Sequence, residues 1–361
     1  MSTIQTSNLT KQFGDLTAVD SVDLDVAAGE VLCLLGPSGC GKTTTLRMIA
    51  GLETTTAGEV RIAGARVNEL SPAERDIAMV FQFYALYPSL TVAENLAFPL
   101  HAGSMTKVEI EARVTEVAGK LALDDVLHRL PGVLAEGEKQ RVAVARAIVR
   151  DPNCFLFDEP LSRLDVELRM AMRGQIKEIL SGLSKATVIV THDQLEALTM
   201  ADRIAVMRDG RIEQIATPHD IFAHPRNVFV AGFIGTPQMN LMQGRLQRLN
   251  GQASFNLAGQ DVSLDLRDEA AQLRPGDSYT VGIRPRGLVP LSEATPGSLA
   301  ATVDLVEPMG AETLLHLQTG GQDIRVVLDR HNVGREGARL HLGLSMDKLH
   351  LFGQDGGRIE L

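Results

Sequence analysis

Runs of consecutive apolar residues recur through the first two thirds of the chain, each closed by a turn residue or a charge. Val31-Leu32-Cys33-Leu34-Leu35, Ile77-Ala78-Met79-Val80-Phe81, Phe155-Leu156-Phe157 and Val188-Ile189-Val190 are the clearest. Short runs without polar alternation are the mark of strands buried on both faces. They predict strands at 30–35, 76–81, 153–158, 186–191 and 203–208. Helical periodicity fills the intervals, which gives an α/β layer fold. Residues 92–150 carry mostly helical patterns, as in Val108-Glu109-Ile110 through Leu121 and Arg141 through Val149, and read as a helical insertion spanning about 86–150. After Phe233-Ile234-Gly235-Thr236-Pro237 the texture changes. Short alternating segments near 242–249, 252–257, 261–266, 278–284, 300–306, 312–318 and 322–328, separated by Gly, Pro, Asn and Asp, predict a small β-barrel or sandwich. The expected division is therefore 1–235 and 236–361.

Composition fits this picture. A chain of 361 residues exceeds one typical core. The formal charge of −10 argues against a general nucleic-acid binder. No apolar run approaches the ~20 residues of a membrane span. Met1-Ser2-Thr3-Ile4-Gln5 has neither the basic nor the apolar part of a signal peptide. Cys33, Cys40 and Cys154, odd in number and widely spaced, read as reduced thiols of a cytosolic protein.

The first predicted strand runs directly into Gly36-Pro37-Ser38-Gly39-Cys40-Gly41-Lys42-Thr43-Thr44. A strand, a glycine-rich turn and a helix start form a phosphate-holding loop. Glycines let backbone N–H groups close around the anion, and the helix directs its positive end at the same charge. Lys42 suits the β- and γ-phosphates of ATP, and the Thr43 hydroxyl suits Mg²⁺. Cys40 lies inside the loop, so a thiol reagent there is expected to obstruct nucleotide binding.

Three strand ends add candidate chemistry. Asp158-Glu159 closes one apolar run; such an Asp holds Mg²⁺ and such a Glu polarises the attacking water. His192 follows another run and can donate to a γ-phosphate oxygen. Gln82 follows a third and can contact Mg²⁺ or the water. Each has a bland alternative as a polar residue at a strand end, but the set in this order does not.

These pieces, with Leu134–Arg141 and Leu161-Ser162-Arg163-Leu164-Asp165, resemble the ATP-binding-cassette (ABC) ATPases. The resemblance implies a P-loop nucleotide-binding domain and two such domains stacked head to tail. Each ATP then lies between one subunit's phosphate loop and the other's signature segment. Phe13 matches the aromatic that stacks on adenine. Phe81-Gln82-Phe83-Tyr84-Ala85-Leu86-Tyr87-Pro88, Met239-Asn240-Leu241 and Val281-Gly282-Ile283-Arg284-Pro285 narrow it to ATPase subunits of bacterial carbohydrate importers. That group implies an all-β regulatory domain of OB type and two transmembrane permease subunits met by the segment after Gln82. It also implies a solute-binding protein engaged indirectly, and a peripheral place on the cytoplasmic face of the inner membrane. Phe83, Tyr84 and Tyr87 are aromatics that suit that contact when exposed, with a place in the core as the alternative for some of them.

The signature departs from the family's Leu-Ser-Gly-Gly-Gln: here it is Leu134-Ala135-Glu136-Gly137-Glu138. Ala135 lacks the hydroxyl that would donate to the γ-phosphate, while Gly137 keeps partial contact open. Glu136 and Glu138 add negative charge; like charges ~4 Å apart repel by about 1 kcal/mol in water and about 4 kcal/mol at an effective dielectric of 20. Two assemblies follow, a heterodimer with a conventional ATPase or a homodimer that tolerates the variant. A rival is a low-turnover nucleotide-binding regulatory subunit. A soluble ABC ATPase of repair or translation is opposed by the acidic charge and by the segment after Gln82.

Overall fold

The computed structural model describes residues 3–249, 252–263, 273–295, 297–330 and 334–360, in two compact units, Met1–His219 and Asp220–Leu361.

In the first unit, β1 (Ile4–Phe13) and β2 (Leu16–Val26) form a long hairpin. β3 (Val31–Leu35) leads into α1 (Lys42–Ala50), and β4 (Ala57–Ile62) and β5 (Ala65–Arg66) complete an antiparallel sheet of order β2-β1-β4-β5. The alternation expected of β1 is hidden in the sequence because polar residues face inward. Buried Thr6 donates to Val22 O and accepts from Leu24 N, both at 2.9 Å, and buried Lys11 reaches Glu53 at 2.7 Å. Register shifts on either side of Leu9 break the period of two as well.

β6 (Ile77–Val80) precedes the helical insertion of α2 (Val92–Ala97), α3 (Lys107–Lys120) and α4 (Glu136–Ile148). Capping boxes start α2 and α3: Thr91 with Glu94, and Thr106 with Glu109, each Ser/Thr-type hydroxyl and Glu answering the other's backbone N–H. The chain returns through β7 (Cys154–Asp158), α5 (Val166–Ser181), β8 (Ala186–Thr191), α6 (Gln194–Met200), β9 (Arg203–Arg208) and β10 (Arg211–Ala216). The main sheet has the order β10-β9-β3-β8-β7-β6, parallel except at β10. Its central strands β3, β7 and β8 are buried at every residue, which is why they read as unbroken apolar runs.

The division between the units falls within α7 (Pro218–Ala223), earlier than the compositional change after Gly235. The reason is that α8 (Val228–Phe233) packs into the second unit, where Ala231 clusters with Met239 and Phe352. That unit is otherwise all β. β11 (Asn240–Leu249), β12 (Gln252–Leu257), β13 (Gln260–Ser263) and β14 (Ser278–Ile283) form one sheet, and β15 (Leu288–Leu291), β16 (Leu299–Pro308), β17 (Glu312–Thr319), β18 (Gln322–Asp329) and β19 (Arg339–Leu344) a second. β20 (Leu349–Phe352) and β21 (Arg358–Ile359) return to the first, and a shared core includes Phe255, Val281, Leu315 and Val326. The expected strand at 261–266 is seen through Ser263; its remainder lies outside the described residues.

Candidate functional site

In a parallel sheet, loops at the carboxyl ends of neighbouring strands converge, and groups placed there act together. Here β3, β8, β7 and β6 are consecutive neighbours. Their carboxyl ends carry the phosphate loop, His192, Asp158-Glu159 and Gln82.

The loop's shape depends on two glycines. A Cβ on Gly36 would lie 2.2 Å from Met207 O, so no side chain fits. Gly41 has φ 103° and its Cβ would lie 2.5 Å from Ala18 O. It is the N-cap of α1, and therefore points the first N–H groups of that helix into the loop. Lys42 is buried, its Nζ donating to Gly36 O (2.8 Å) and Pro37 O (2.9 Å) across the loop. A cavity of about 220 Å³ opens here, lined by Ala18, Ser38, Gly39, Gly41, Lys42, Thr43, Thr44 and Glu159. Backbone donors, an ammonium and a helix N-terminus around a small cavity suit the phosphates of a nucleotide.

Thr43 Oγ1 donates to Asp158 Oδ1 at 3.1 Å. Burial pushes the Asp158 carboxyl above its usual range, opposed by that hydrogen bond. A hydroxyl and a desolvated carboxylate joined at the mouth of the loop match the donor set of a hard cation.

Glu159 sits between two partners. Its Oε2 accepts from Gln82 Nε2 at 3.0 Å, and its Oε1 lies 3.1 Å from His192 Nδ1. Its backbone has φ 48°, a region that disfavours side chains, and is held there by its N–H donating to Val190 O at 2.9 Å. Ser162, marked in the sequence as part of the Leu161–Asp165 match but given no role there, secures the hub. Its Oγ donates to Glu159 O at 3.0 Å and accepts from Gln82 at 3.3 Å. Below His192, Thr191 donates to buried Glu196 at 2.7 Å, and Asp193 caps α6 through the N–H groups of Leu195 and Glu196.

The remaining expected residues lie elsewhere. Phe13 is exposed at the end of β1, with Lys11 Nζ 4.8 Å above its ring. Ala135 and Gly137 do not line the phosphate cavity; they begin α4. There Ala135 N–H donates to Glu138 Oε2 at 2.8 Å and Glu136 pairs with Lys139 at 2.7 Å. Gly137 is buried, and a Cβ on it would meet Leu168 at 3.0 Å. Cys40 is buried and its thiol is pushed up by desolvation, so the expected reagent sensitivity is damped by lack of access and of thiolate.

Of the three aromatics expected at an interface, Phe83 and Tyr87 are exposed, whereas Tyr84 is part of the core. Phe98 joins them, its ring 4.6 Å from that of Tyr87. The segment is pinned by Arg146, which donates to Ala85 O (2.6 Å) and Tyr84 O (3.0 Å). Asn95, fully buried and unremarked in the sequence, donates to the carbonyls of Tyr87, Leu90 and Thr91 and accepts from Tyr87 N–H.

A profile of the ABC transporter family matches residues 19–162. Profiles of the MalK OB fold domain and the TOBE domain match 235–286 and 281–352. The sn-glycerol-3-phosphate import ATP-binding protein UgpC 1 of Rhizobium johnstonii is 43% identical over 99% of this chain and 96% of its own length. The chain belongs to the ABC transporter ATP-binding subunits. The lactose transport ATP-binding protein LacK of Rhizobium radiobacter is 44% identical to this ABC ATPase, over 99% of this chain and all of its own. Among solved structures, the dimeric cassette MJ0796 superposes with a TM-score of 0.54 at 33% identity, covering 60% of this chain and 98% of that one. The first unit is thus an ABC ATPase fold and the second carries OB and TOBE domains; turnover of ATP in this family is coupled to transport. Among the described residues no helix is long and apolar enough to cross a membrane.

Proposed function

We propose that this ABC ATPase powers an importer of a sugar, polyol or related solute, binding ATP at residues 36–44 and using Glu159 as the base. The observation that carries the chemistry is the hub in which Gln82 and His192 hold the Glu159 carboxylate beside the phosphate loop. Asp158 and Thr43, with Gln82, are the residues that would hold Mg²⁺, which when bound neutralises charge on the β- and γ-phosphates. Glu159 accepts a proton from the attacking water, while His192 and Gln82 keep the carboxylate aimed. Names of relatives support the solute class: sn-glycerol-3-phosphate import and lactose transport. Exposed Phe83, Tyr87 and Phe98 offer apolar surface suited to two permease subunits, which supports a peripheral position at the cytoplasmic membrane face. A solute-binding protein would act through those subunits. Glu159→Gln tests the assignment: ATP stays bound and the dimer persists, whereas brisk turnover by that variant removes Glu159 from the role.

The start of α4 favours a further reading, pairing with a second ABC ATPase of conventional signature. Glu138 already accepts the Ala135 N–H, so the helix end that would receive a partner's γ-phosphate holds a carboxylate of its own. The decisive comparison is Mg²⁺-dependent turnover of the isolated chain beside the triple change Ala135→Ser, Glu136→Gly and Glu138→Gln. Rescue by the triple change supports the heterodimer; full activity without it supports a homodimer.

A further inference from the structure

Apart from the nucleotide cavity, the second unit contains its own cavity of about 410 Å³. It is walled by the end of α7, the Thr236-Pro237 turn, the turn after β14 and the link between β19 and β20. Apolar surface from Phe222, Pro237 and Pro285 dominates, and against it stand Arg284, Lys348 and His350.

The charges of this wall are out of balance. Arg284 is half-buried and donates to two backbone carbonyls, Ile234 O at 2.8 Å and Phe222 O at 2.6 Å, which leaves three of its five N–H donors for a ligand. Its guanidinium carbon lies 3.5 Å from the centre of the Phe222 ring. Among the described residues no carboxylate lies within ion-pair distance of it, and burial alone brings its pKa down to about 10. Arg286 on the same turn does have such a partner, Glu312 at 2.5 Å, which shows what Arg284 lacks. His350 is nine-tenths buried and its Nδ1 has no hydrogen-bond partner. Burial and then the nearby Arg358, Arg284 and His224 push its pKa down to about 4. Asp347 is the only carboxylate among the lining residues, beside exposed Lys348.

Desolvating a cation without a counter-charge is costly, and an anion brought into the same space offsets that cost. A mostly apolar cavity with a few convergent polar groups is also the usual form of a small-molecule site. We propose that this cavity binds a small organic anion, a carboxylate or phosphate head on a compact apolar body. Arg284, Lys348 and His350 receive the head, and Phe222 with the two prolines receives the body. The site belongs wholly to the second unit and does not depend on the transport reading.

Calorimetric titration of the full chain tests this with four probes: benzoate, phenyl phosphate, inorganic phosphate for the head alone and benzyl alcohol for the body alone. Benzoate or phenyl phosphate should saturate one site per chain at millimolar concentration or below, with benzyl alcohol at least about tenfold weaker. Which of the two acids binds more tightly identifies the head. Lys348→Glu, at an exposed position, should weaken binding at least about tenfold while thermal unfolding of the free protein stays unchanged. That variant also separates this cavity from the phosphate loop, where phosphate probes bind independently of Lys348. Absence of saturation by both acids, or equal binding by Lys348→Glu, overturns the proposal.

Discussion

Glu159 and His192 meet at 3.1 Å across the ends of adjacent strands β7 and β8, although 33 positions separate them in sequence. The pairing depends on sheet register, in which Asp158 lies opposite Val190, so that Glu159 and His192 emerge one and two residues beyond that pair. A base held by an imidazole on one side and an amide on the other has few ways to turn aside. His192→Ala is expected to lower ATP turnover by about 10²-fold with nucleotide affinity nearly unchanged, seen in steady-state rates beside equilibrium ATP binding. Equal loss of affinity and rate would instead give His192 a role in binding.

Gly36→Ala should abolish nucleotide binding and lower stability by roughly 2–4 kcal/mol, because the added methyl has no room beside Met207 O and the loop must move. Thermal unfolding with and without ATP checks both halves: a lower midpoint, and no upward shift on adding nucleotide.

Asn95→Leu removes a side chain that satisfies one N–H and three carbonyls of the segment before α2. Tyr87 O and Thr91 O keep backbone donors in Leu90 N–H and Asn95 N–H, whereas Tyr87 N–H and Leu90 O lose the Asn95 side chain, so the expected cost is about 1–3 kcal/mol. Tyr87 begins that segment, so association with membrane subunits should weaken more than ATP turnover of the isolated chain. A co-purification assay set against the turnover rate distinguishes the two effects.

His350 predicts an acid-sensitive second unit. Its folded pKa of about 4 lies below the ordinary histidine value of 6.5, so the unfolded chain binds the proton more readily. Stability should therefore fall as pH drops from 6.5 towards 4, and be independent of this group above 7. His350→Leu should flatten that slope in unfolding midpoints measured at pH 7 and pH 5; an unchanged slope assigns the acid sensitivity elsewhere.

Cys40 should react slowly with iodoacetamide in the native chain and rapidly once unfolded, because it is buried and its thiol is held protonated by desolvation. Mass spectrometry of the labelled chain follows this, and ATP should slow the native reaction further.

The parallel strands were legible because burial on both faces leaves no polar residue in β3, only the terminal Asp158 in β7, and only Thr187 and Thr191 in β8. The loop, Asp158, Glu159, His192 and Gln82 were legible because each follows such a run. β1 and β2 were not, since Thr6 and Lys11 point inward and bulges disturb the alternation. Asn95 was hidden for a different reason. Three of its four hydrogen bonds go to backbone carbonyls, which every sequence has, so nothing in the residues Thr91-Val92-Ala93-Glu94 announces them. The choice between core and surface for Phe83, Tyr84 and Tyr87 was open in the sequence, because an aromatic beside a turn looks the same whether its ring turns in or out; Tyr84 turns in.

At the start of α4, the altered positions Ala135 and Glu136 are exposed, while Gly137 and Gln140 are buried. The packing of the segment thus rests on the residues that stayed the same, and a Cβ on Gly137 would make Leu168 shift. The altered side chains also join the helix start: Glu138, half-buried, accepts the Ala135 N–H at 2.8 Å, and Glu136 pairs with Lys139 at 2.7 Å. The altered segment therefore spends its new charges on its own helix, and restoring neutral residues there would remove an ion pair from the exposed side while leaving the buried side untouched.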